Sequence, residues 1–249
     1  MDADGFDAFS RALHAARSRR GALAAALSGL SSLLGLAGTA AGKQHKKKPK
    51  YTTVTRTVRQ LVTQTFANRG AIVIGDGNAN PYPSAINVGG FVNGAITDVN
   101  LTLHTFSHVL PRDVDVLLVP AQLPGQNAIV MSDNGNGFAA TDITLTLDDQ
   151  AATELPNEAP GGPLVSGTFK PTNPGGVADA FPGQAPSGNS LLSVFNGGNP
   201  NGSWQLFVVD DQAGNSGQFA GGWTLQITAL ADVQIQQRVR VKKGKKGRR

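Results

Sequence analysis

Beyond Lys50, apolar residues recur at every second position in short runs, and each run ends in a cluster of Gly, Asn, Asp or Pro. That alternation is the period of a β-strand with one wet face and one buried face. Thr97-Asp98-Val99-Asn100-Leu101-Thr102-Leu103 carries it, as does Asp142-Ile143-Thr144-Leu145-Thr146-Leu147. Val114, Val116 and Val119 mark a further run that stops at Pro120. Trp204-Gln205-Leu206-Phe207-Val208 and Trp223-Thr224-Leu225-Gln226-Ile227 close the series. The interruptions at 75–81, 133–137, 156–163, 196–202 and 213–217 supply positive-φ turns and break helices. No window after residue 50 offers an amphipathic helix, and the pattern predicts an all-β antiparallel sandwich or barrel. Trp204 and Trp223 fall at inward positions, which assigns them to the core rather than to a ligand platform.

The formal charge of +5 suggests a polyanion binder, but the charge is segregated. Four arginines lie in the first 20 residues, five lysines lie between Lys43 and Lys50, and Arg56 and Arg59 follow. Eight basic residues fill positions 238–249. Residues 60–232 hold three basic side chains (Arg69, Arg112, Lys170) against fourteen acidic ones, a formal −11. An acidic body therefore sits between basic ends. The stretches 43–50 and 238–249 read as disordered arms for polyanions such as wall polymers, anionic lipid headgroups or nucleic acid. No aromatic residue interleaves them, so sequence-specific nucleic-acid readout is not expected. Val233, Ile235, Val239 and Val241 point to an extension of the last strand toward the charge block.

Ser18-Arg19-Arg20 precedes an uncharged run, residues 21–42, made mostly of Ala, Leu and Gly. Paired arginines, an apolar stretch and small residues at its end describe a helical export signal, and the arginines point to the twin-arginine route. Thr39 and Ala41 allow cleavage after Ala41. The same run is long enough to span a bilayer, so a retained anchor is the alternative. The chain has no cysteine, which removes disulfides, thiolate metal sites and cysteine nucleophiles. Export of an already folded chain fits that absence.

A serine hydrolase needs a nucleophile, a base and an orienting acid that meet in space. The histidines are His14, His45, His104 and His108, and no Gly-x-Ser-x-Gly elbow occurs. His108 beside Asp113 could be drawn as a dyad; a histidine hydrogen-bonded at a strand end is the plainer account. There is no phosphate loop and no zinc ligand set. Calcium is the better chemical expectation, because carboxylates in Gly/Asn turns offer hard oxygen ligands on backbone that can curl around an ion. The candidates are Asp113, Asp115, Asp133, Asp148, Asp149, Asp210 and Asp211, with Asp76 separate from them. The alternative is that turn aspartates accept hydrogen bonds from their own backbone.

From His108 onward the order of motifs resembles the P domain (P/Homo B domain) of subtilisin-like proprotein convertases. Leu101-Thr102-Leu103 through Ser107-His108 resembles a strand ending in histidine. Arg112-Asp113-Val114-Asp115-Val116-Leu117-Leu118-Val119-Pro120 resembles the aspartate-led strand. Met131-Ser132-Asp133-Asn134-Gly135 and Leu145-Thr146-Leu147-Asp148-Asp149-Gln150-Ala151 resemble the Ser-Asp-x-Gly turn and the Phe-Asp-Asp-x-Ala strand end, with Leu147 in place of Phe. Ser166-Gly167-Thr168-Phe169-Lys170-Pro171 matches a Gly-Thr-aromatic-basic-Pro segment. The most specific part is Asn199-Pro200-Asn201-Gly202-Ser203-Trp204-Gln205-Leu206, then Asp210-Asp211, Gly214, Gly217 and Trp223-Thr224-Leu225. Arg112 meets Asp113 directly, without the Arg-Gly-Asp of many convertases, so integrin-type recognition is not implied.

The resemblance implies a jelly-roll-like antiparallel β-sandwich, galactose-binding-domain-like, of about eight strands. It also implies an accessory role beside a serine-type endopeptidase, in folding, stability and calcium or pH dependence. The expected organisation is an export signal at 1–41, a basic linker at 42–61, the sandwich at 62–230 and a basic tail at 231–249. No stretch between linker and sandwich has room for a protease domain. The expectation is an exported, secreted or cell-surface module, non-catalytic, with a separately encoded protease, a surface protein or a glycan as partner. A protease-associated fragment and an electrostatic surface anchor are the alternatives.

Overall fold

The structure, a computed structural model, describes residues 49–157, 162–174 and 179–241. Two β-sheets pack face to face. The larger has seven strands: β1 (Tyr51–Asn68), β12 (Trp223–Arg240), β5 (Ala95–His108), β11 (Gly217–Phe219) and β2 (Ile72–Ile74) in that order, with β8 (Ala140–Leu147) on the other edge of β5 and β9 (Gly167–Phe169) beyond it. The smaller has β6 (Val114–Pro120) between β7 (Ala128–Met131) and β10 (Gly202–Asp210), whose far edge carries β3 (Gly77–Asn78) and β4 (Ser84–Val88). Short 3-10 turns at Pro111–Asp113 and Leu192–Phe195 link strands. All strand pairs are antiparallel except β8 with β9, where Leu145 lies opposite Gly167 in a parallel pairing.

The alternation read from the sequence decides what faces inward. Val99, Leu101 and Leu103 of β5, Leu145 and Leu147 of β8, and Leu225 and Ile227 of β12 meet Val114, Val116 and Leu118 of β6 and Trp204, Leu206 and Val208 of β10 in one core. Both tryptophans are wholly buried. Each donates its indole N–H: Trp204 to the Pro200 carbonyl at 2.9 Å, Trp223 to Ser84 Oγ at 2.9 Å. Burying such large rings is worth roughly 1.5–3 kcal/mol apiece, and the satisfied N–H groups keep that gain from being cancelled. A second, smaller cluster lies on the outer face of the five-stranded sheet. There Leu117, Ile129, Phe207 and Val209 are covered by Phe181 and Tyr82. That cover brings the segment around residue 180 over the sheet.

Two strands of the larger sheet, β1 and β12, run on past 62–230 as a paired ribbon. Residues 51–61, read as basic linker, and residues 231–240, read as basic tail, are paired strands, from Tyr51 opposite Arg240 to Asn68 opposite Trp223. Arg238 and Arg240 thus belong to β12 and not to a loose arm. The reason is β-branched content: Thr52, Thr53, Val54, Thr55, Thr57 and Val58 favour an extended backbone whatever charges stand between them. Of the extension expected at Val233, Ile235, Val239 and Val241, the first three are part of β12 and Val241 lies one residue past its end. The export signal and its helix at 1–41 lie outside the described residues. Among the described residues no helix is long and apolar enough to cross a membrane.

Candidate functional site

Register brings separate acidic residues to one end of the smaller sheet. On β6 and β10, Val114 lies opposite Asp210 and Asp115 opposite Val209. On the other edge of β6, Val116 lies opposite Met131, so the loop that begins at Ser132 starts beside them. Side chains alternate between faces. Val114 and Val116 point into the core, which turns Asp115 to the outer face with Leu117 and Val119. Leu206 and Val208 point inward, and Asp210 follows them. The acidic end therefore has an inner and an outer group.

In the inner group, Asp210 and His108 are buried with their side chains fully out of solvent, and His108 Nε2 lies 3.1 Å from Asp210 Oδ2. The Leu110 N–H donates to His108 Nδ1 at 3.3 Å, which leaves the ring proton on Nε2, facing the carboxyl. The approach is off the line a good hydrogen bond needs, and neither atom has a hydrogen-bond partner among the described residues. Burial pushes the Asp210 carboxyl above its ordinary range; the Gln212 N–H and His108 pull it down, while Asp113 and Asp76 push it further up. Gly217 presses against this pair: a Cβ there would meet the Ser107 carbonyl and the His108 ring. Asp113 turns elsewhere. Its Oδ2 accepts from Asn215 Nδ2 at 2.9 Å and its Oδ1 lies 3.5 Å from Arg112 Nε. The partner of His108 is therefore Asp210 and not the Asp113 that sequence proximity suggested. Asp76 accepts from the Gly214 N–H at 2.9 Å, which ties it to the same end.

In the outer group, Asp115 is 3% exposed. Burial drives its carboxyl up to about 8, Asp179, Asp211 and Asp133 push in the same direction, and the Ser132 hydroxyl pulls it down. Asp179 and Asp211 are also raised, burial being the largest cause in each, and both are pushed by Asp133. Ser132 Oγ donates to Asp133 Oδ2 at 3.3 Å, and the same hydroxyl also lowers the Asp115 and Asp179 carboxyls. One hydroxyl has a single proton to donate, so three carboxyls compete for it. Three buried acceptor oxygens around these groups have no donor among the described residues: Asp210 Oδ2, Asn215 Oδ1 and Asn173 Oδ1. Asn173 reaches Asp179 through its Nδ2 at 3.4 Å.

This donor set consists of carboxyl, amide and hydroxyl oxygens, the chemistry a hard divalent cation such as calcium takes. Its spacing is open: among the described residues no three His, Asp or Glu side chains converge closely enough to hold a metal as they stand. The mutual repulsion acts over longer distances than coordination, which reconciles the two observations.

Of the residues expected from sequence, Asp113, Asp115, Asp133, Asp210 and Asp211 come together here. Asp148 and Asp149 do not. The two oxygens of Asp149 accept the Leu192 and Ser193 N–H groups at 2.9 and 2.8 Å, and Asp148 Oδ1 accepts from Gln150 N at 2.7 Å. They face Asp98, whose carboxyl is raised by burial and then by these two neighbours. Asp148 thus plays the turn role of an aspartate bonding its own backbone, and both oxygens of Asp149 are engaged by the turn at Leu192. Sequence reasoning missed Ser132, Asn173, Asp179 and Asn215 as members of the site. Ser132 stood next to a candidate and was open to recognition; Asp179 had no spacing signal. No protein-family model matches the chain, and no curated protein matches it.

Proposed function

We propose that the chain is an exported P-domain-type β-sandwich that works as an accessory binding or stabilising module, and that its acidic end takes up calcium. The observation that carries the calcium reading is Asp115. It is a buried carboxyl held up to about 8, with Asp179, Asp211 and Asp133 pushing the same way. A divalent cation relieves that repulsion and supplies a partner for Asn173 Oδ1 beside Asp179, which has none among the described residues.

The P-domain reading, and with it a jelly-roll topology, draws on where the similar segments fall. The histidine-ended segment lies in β5, the aspartate-led segment in β6, and the Ser-Asp turn follows β7. The Gly-Thr-aromatic segment is β9, and the two tryptophan segments open β10 and β12. The geometry at the histidines favours binding over hydrolysis. The Leu110 amide occupies His108 Nδ1 while His108 Nε2 faces the buried Asp210 carboxyl, His104 Nε2 lies 2.7 Å from Thr224 Oγ1, and Ser107 Oγ donates to Asp142 Oδ1 at 3.3 Å. Within such a module, Asp115, Asp133, Asp179 and Asp211 would hold the ion, and the ion would fix the loops on which the last three sit.

Isothermal titration with calcium, alongside a serine-reactive fluorophosphonate probe, tests this. The expected result is saturable calcium uptake that Asp179→Asn and Asp211→Asn each weaken, with no serine labelled. No uptake at millimolar calcium removes the cation reading, and labelling of any serine removes the non-catalytic one.

A further inference from the structure

The pairing of β1 with β12 does more than close the larger sheet. β5 ends its contact with β12 at Ala95 opposite Leu230, so beyond that point β1 and β12 continue as a ribbon of two strands only. The base is clamped: Asp232 N donates to the Val92 carbonyl at 2.9 Å, Asn93 Nδ2 donates to Asp232 Oδ2 at 2.8 Å, and Arg59 lies 3.4 Å from Asp232. From Val58 opposite Val233 to Tyr51 opposite Arg240 the ribbon has no third strand beside it among the described residues, a reach of roughly 26 Å at ~3.3 Å per residue. An isolated two-stranded ribbon is marginal in water, so a projecting one calls for a surface to lie against.

Its two faces differ. Val62 and Phe66 of β1 and Ile227 and Ala231 of β12 face the core, and the same alternation carries Val54, Val58, Val233, Ile235 and Val239 outward along that face, with no second sheet over them among the described residues. Val54, Ile235 and Val239 are 37%, 40% and 37% exposed. The opposite face carries Thr53, Thr55, Thr57, Arg238 and Arg240, with the Arg238 guanidinium 5.3 Å from the Tyr51 ring centre. At the tip, Val241 N donates to the Lys50 carbonyl at 2.8 Å. Two basic blocks almost 200 residues apart in sequence, 43–50 and 242–249, therefore enter and leave the fold at one point.

We propose that this ribbon is a membrane-docking arm for an anionic lipid surface, with the valine face set into the headgroup boundary and the basic tip against the lipid charges. Charge complementarity selects that occupant. Residues 60–232 carry −11 and are repelled by an anionic bilayer, so the molecule approaches tip first. A second copy packed parallel on the same face would bring two cationic tips together, which like-charge repulsion opposes, and a chain that light scattering shows to be dimeric through this face would overturn the proposal. Nucleic acid would satisfy the arginines and lysines but leave the valine row against phosphate and water; a bilayer boundary takes both. Arg56, between Val54 and Val58, places its stem along the apolar face and its charge at the headgroups. The inference does not depend on calcium at the other site.

Flotation of the full chain with vesicles tests it, using phosphatidylcholine with one quarter phosphatidylglycerol against phosphatidylcholine alone, both in EGTA. The expected result is binding to the anionic vesicles, weakened by salt and reduced roughly tenfold or more in Lys50→Gln/Arg56→Gln and on zwitterionic vesicles. Val54→Ser/Ile235→Ser/Val239→Ser, with every charge kept, should also lose most of it. All variants retain residues 21–42, so binding through that apolar run stays constant across the set. Equal binding to both vesicle types overturns the proposal, as does an unchanged serine variant. So does a short DNA duplex that displaces the vesicles and binds the serine variant as tightly as the parent. The substitutions lie outside the core, and an unchanged melting midpoint verifies that each variant is folded.

Discussion

Asp115→Asn should stabilise the calcium-free protein at alkaline pH and leave it unchanged in acid. The folded-state carboxyl titrates at about 8 against an ordinary 3.8. An acid raised in the folded state keeps a proton there that the unfolded chain releases. Its favourable contribution is complete below the unfolded value and is lost as pH rises through the window up to about 8. At about 1.4 kcal/mol per pH unit, the displacement corresponds to roughly 5–6 kcal/mol across that window. The full value is reached only with Asp179, Asp211 and Asp133 ionised, so a gain of several kcal/mol near pH 8.5 is the expectation. Asn keeps the shape and an acceptor for Ser132 but carries no titrating proton. Urea unfolding in EGTA, followed by fluorescence of the buried Trp204 and Trp223, reads the difference directly. The two proteins should coincide near pH 4 and separate progressively above it, with the same dependence on denaturant. A pH-independent difference, or a variant less stable at alkaline pH, would refute the assignment of Asp115 as a repelled, buried carboxyl.

Ser84→Ala should cost roughly 1–3 kcal/mol, because it strands the buried Trp223 N–H that now donates to Ser84 Oγ at 2.9 Å; a double-mutant cycle with Trp223→Phe should recover part of it, and additive losses would argue against the bond. Gly217→Ala should lower the melting midpoint sharply, since the added methyl meets the Ser107 carbonyl and the His108 ring; a midpoint equal to the parent's would show that β11 gives way freely. His108→Leu should destabilise by roughly 1–3 kcal/mol by leaving Asp210 Oδ2 buried against an apolar side chain. Adding Asp210→Asn should restore much of that loss, and failure to do so would mean the cost lies in ring packing with Phe106, whose centre is 6.3 Å away.

Much of the sandwich could be read from alternation alone, because strands such as β5, β8 and β10 keep one face strictly apolar and their turns are marked by Gly and Asn. Trp204, Trp223 and Leu147 sit in the core as their positions in those patterns required. The β1–β12 ribbon was harder to see. Its strands are separated by most of the chain, and their Lys and Arg residues read as solvated arms while the β-branched positions between them were setting an extended backbone. The acidic end was half legible. Asp115 and Asp210 belong to neighbouring strands, so their proximity follows from register once the strands pair. Asp179 reaches them only because Phe181 and Tyr82 seal the outer face of the smaller sheet, a packing event with no local sequence mark. Asp148 and Asp149 looked equivalent to the others, but the amides that Asp149 accepts belong to residues 43 and 44 positions away, in the turn that opens at Leu192.

The melting midpoint of the full chain in EGTA and in millimolar calcium tests the cation-binding account most directly. Calcium at a hundredfold excess over its dissociation constant adds about 2.7 kcal/mol of stability, and a domain of this size gains roughly 2–4 °C per kcal/mol. A midpoint higher by roughly 5–10 °C in calcium, with a smaller rise in Asp115→Asn, is the result the acidic end predicts. Identical midpoints for the parent protein in the two conditions would contradict it.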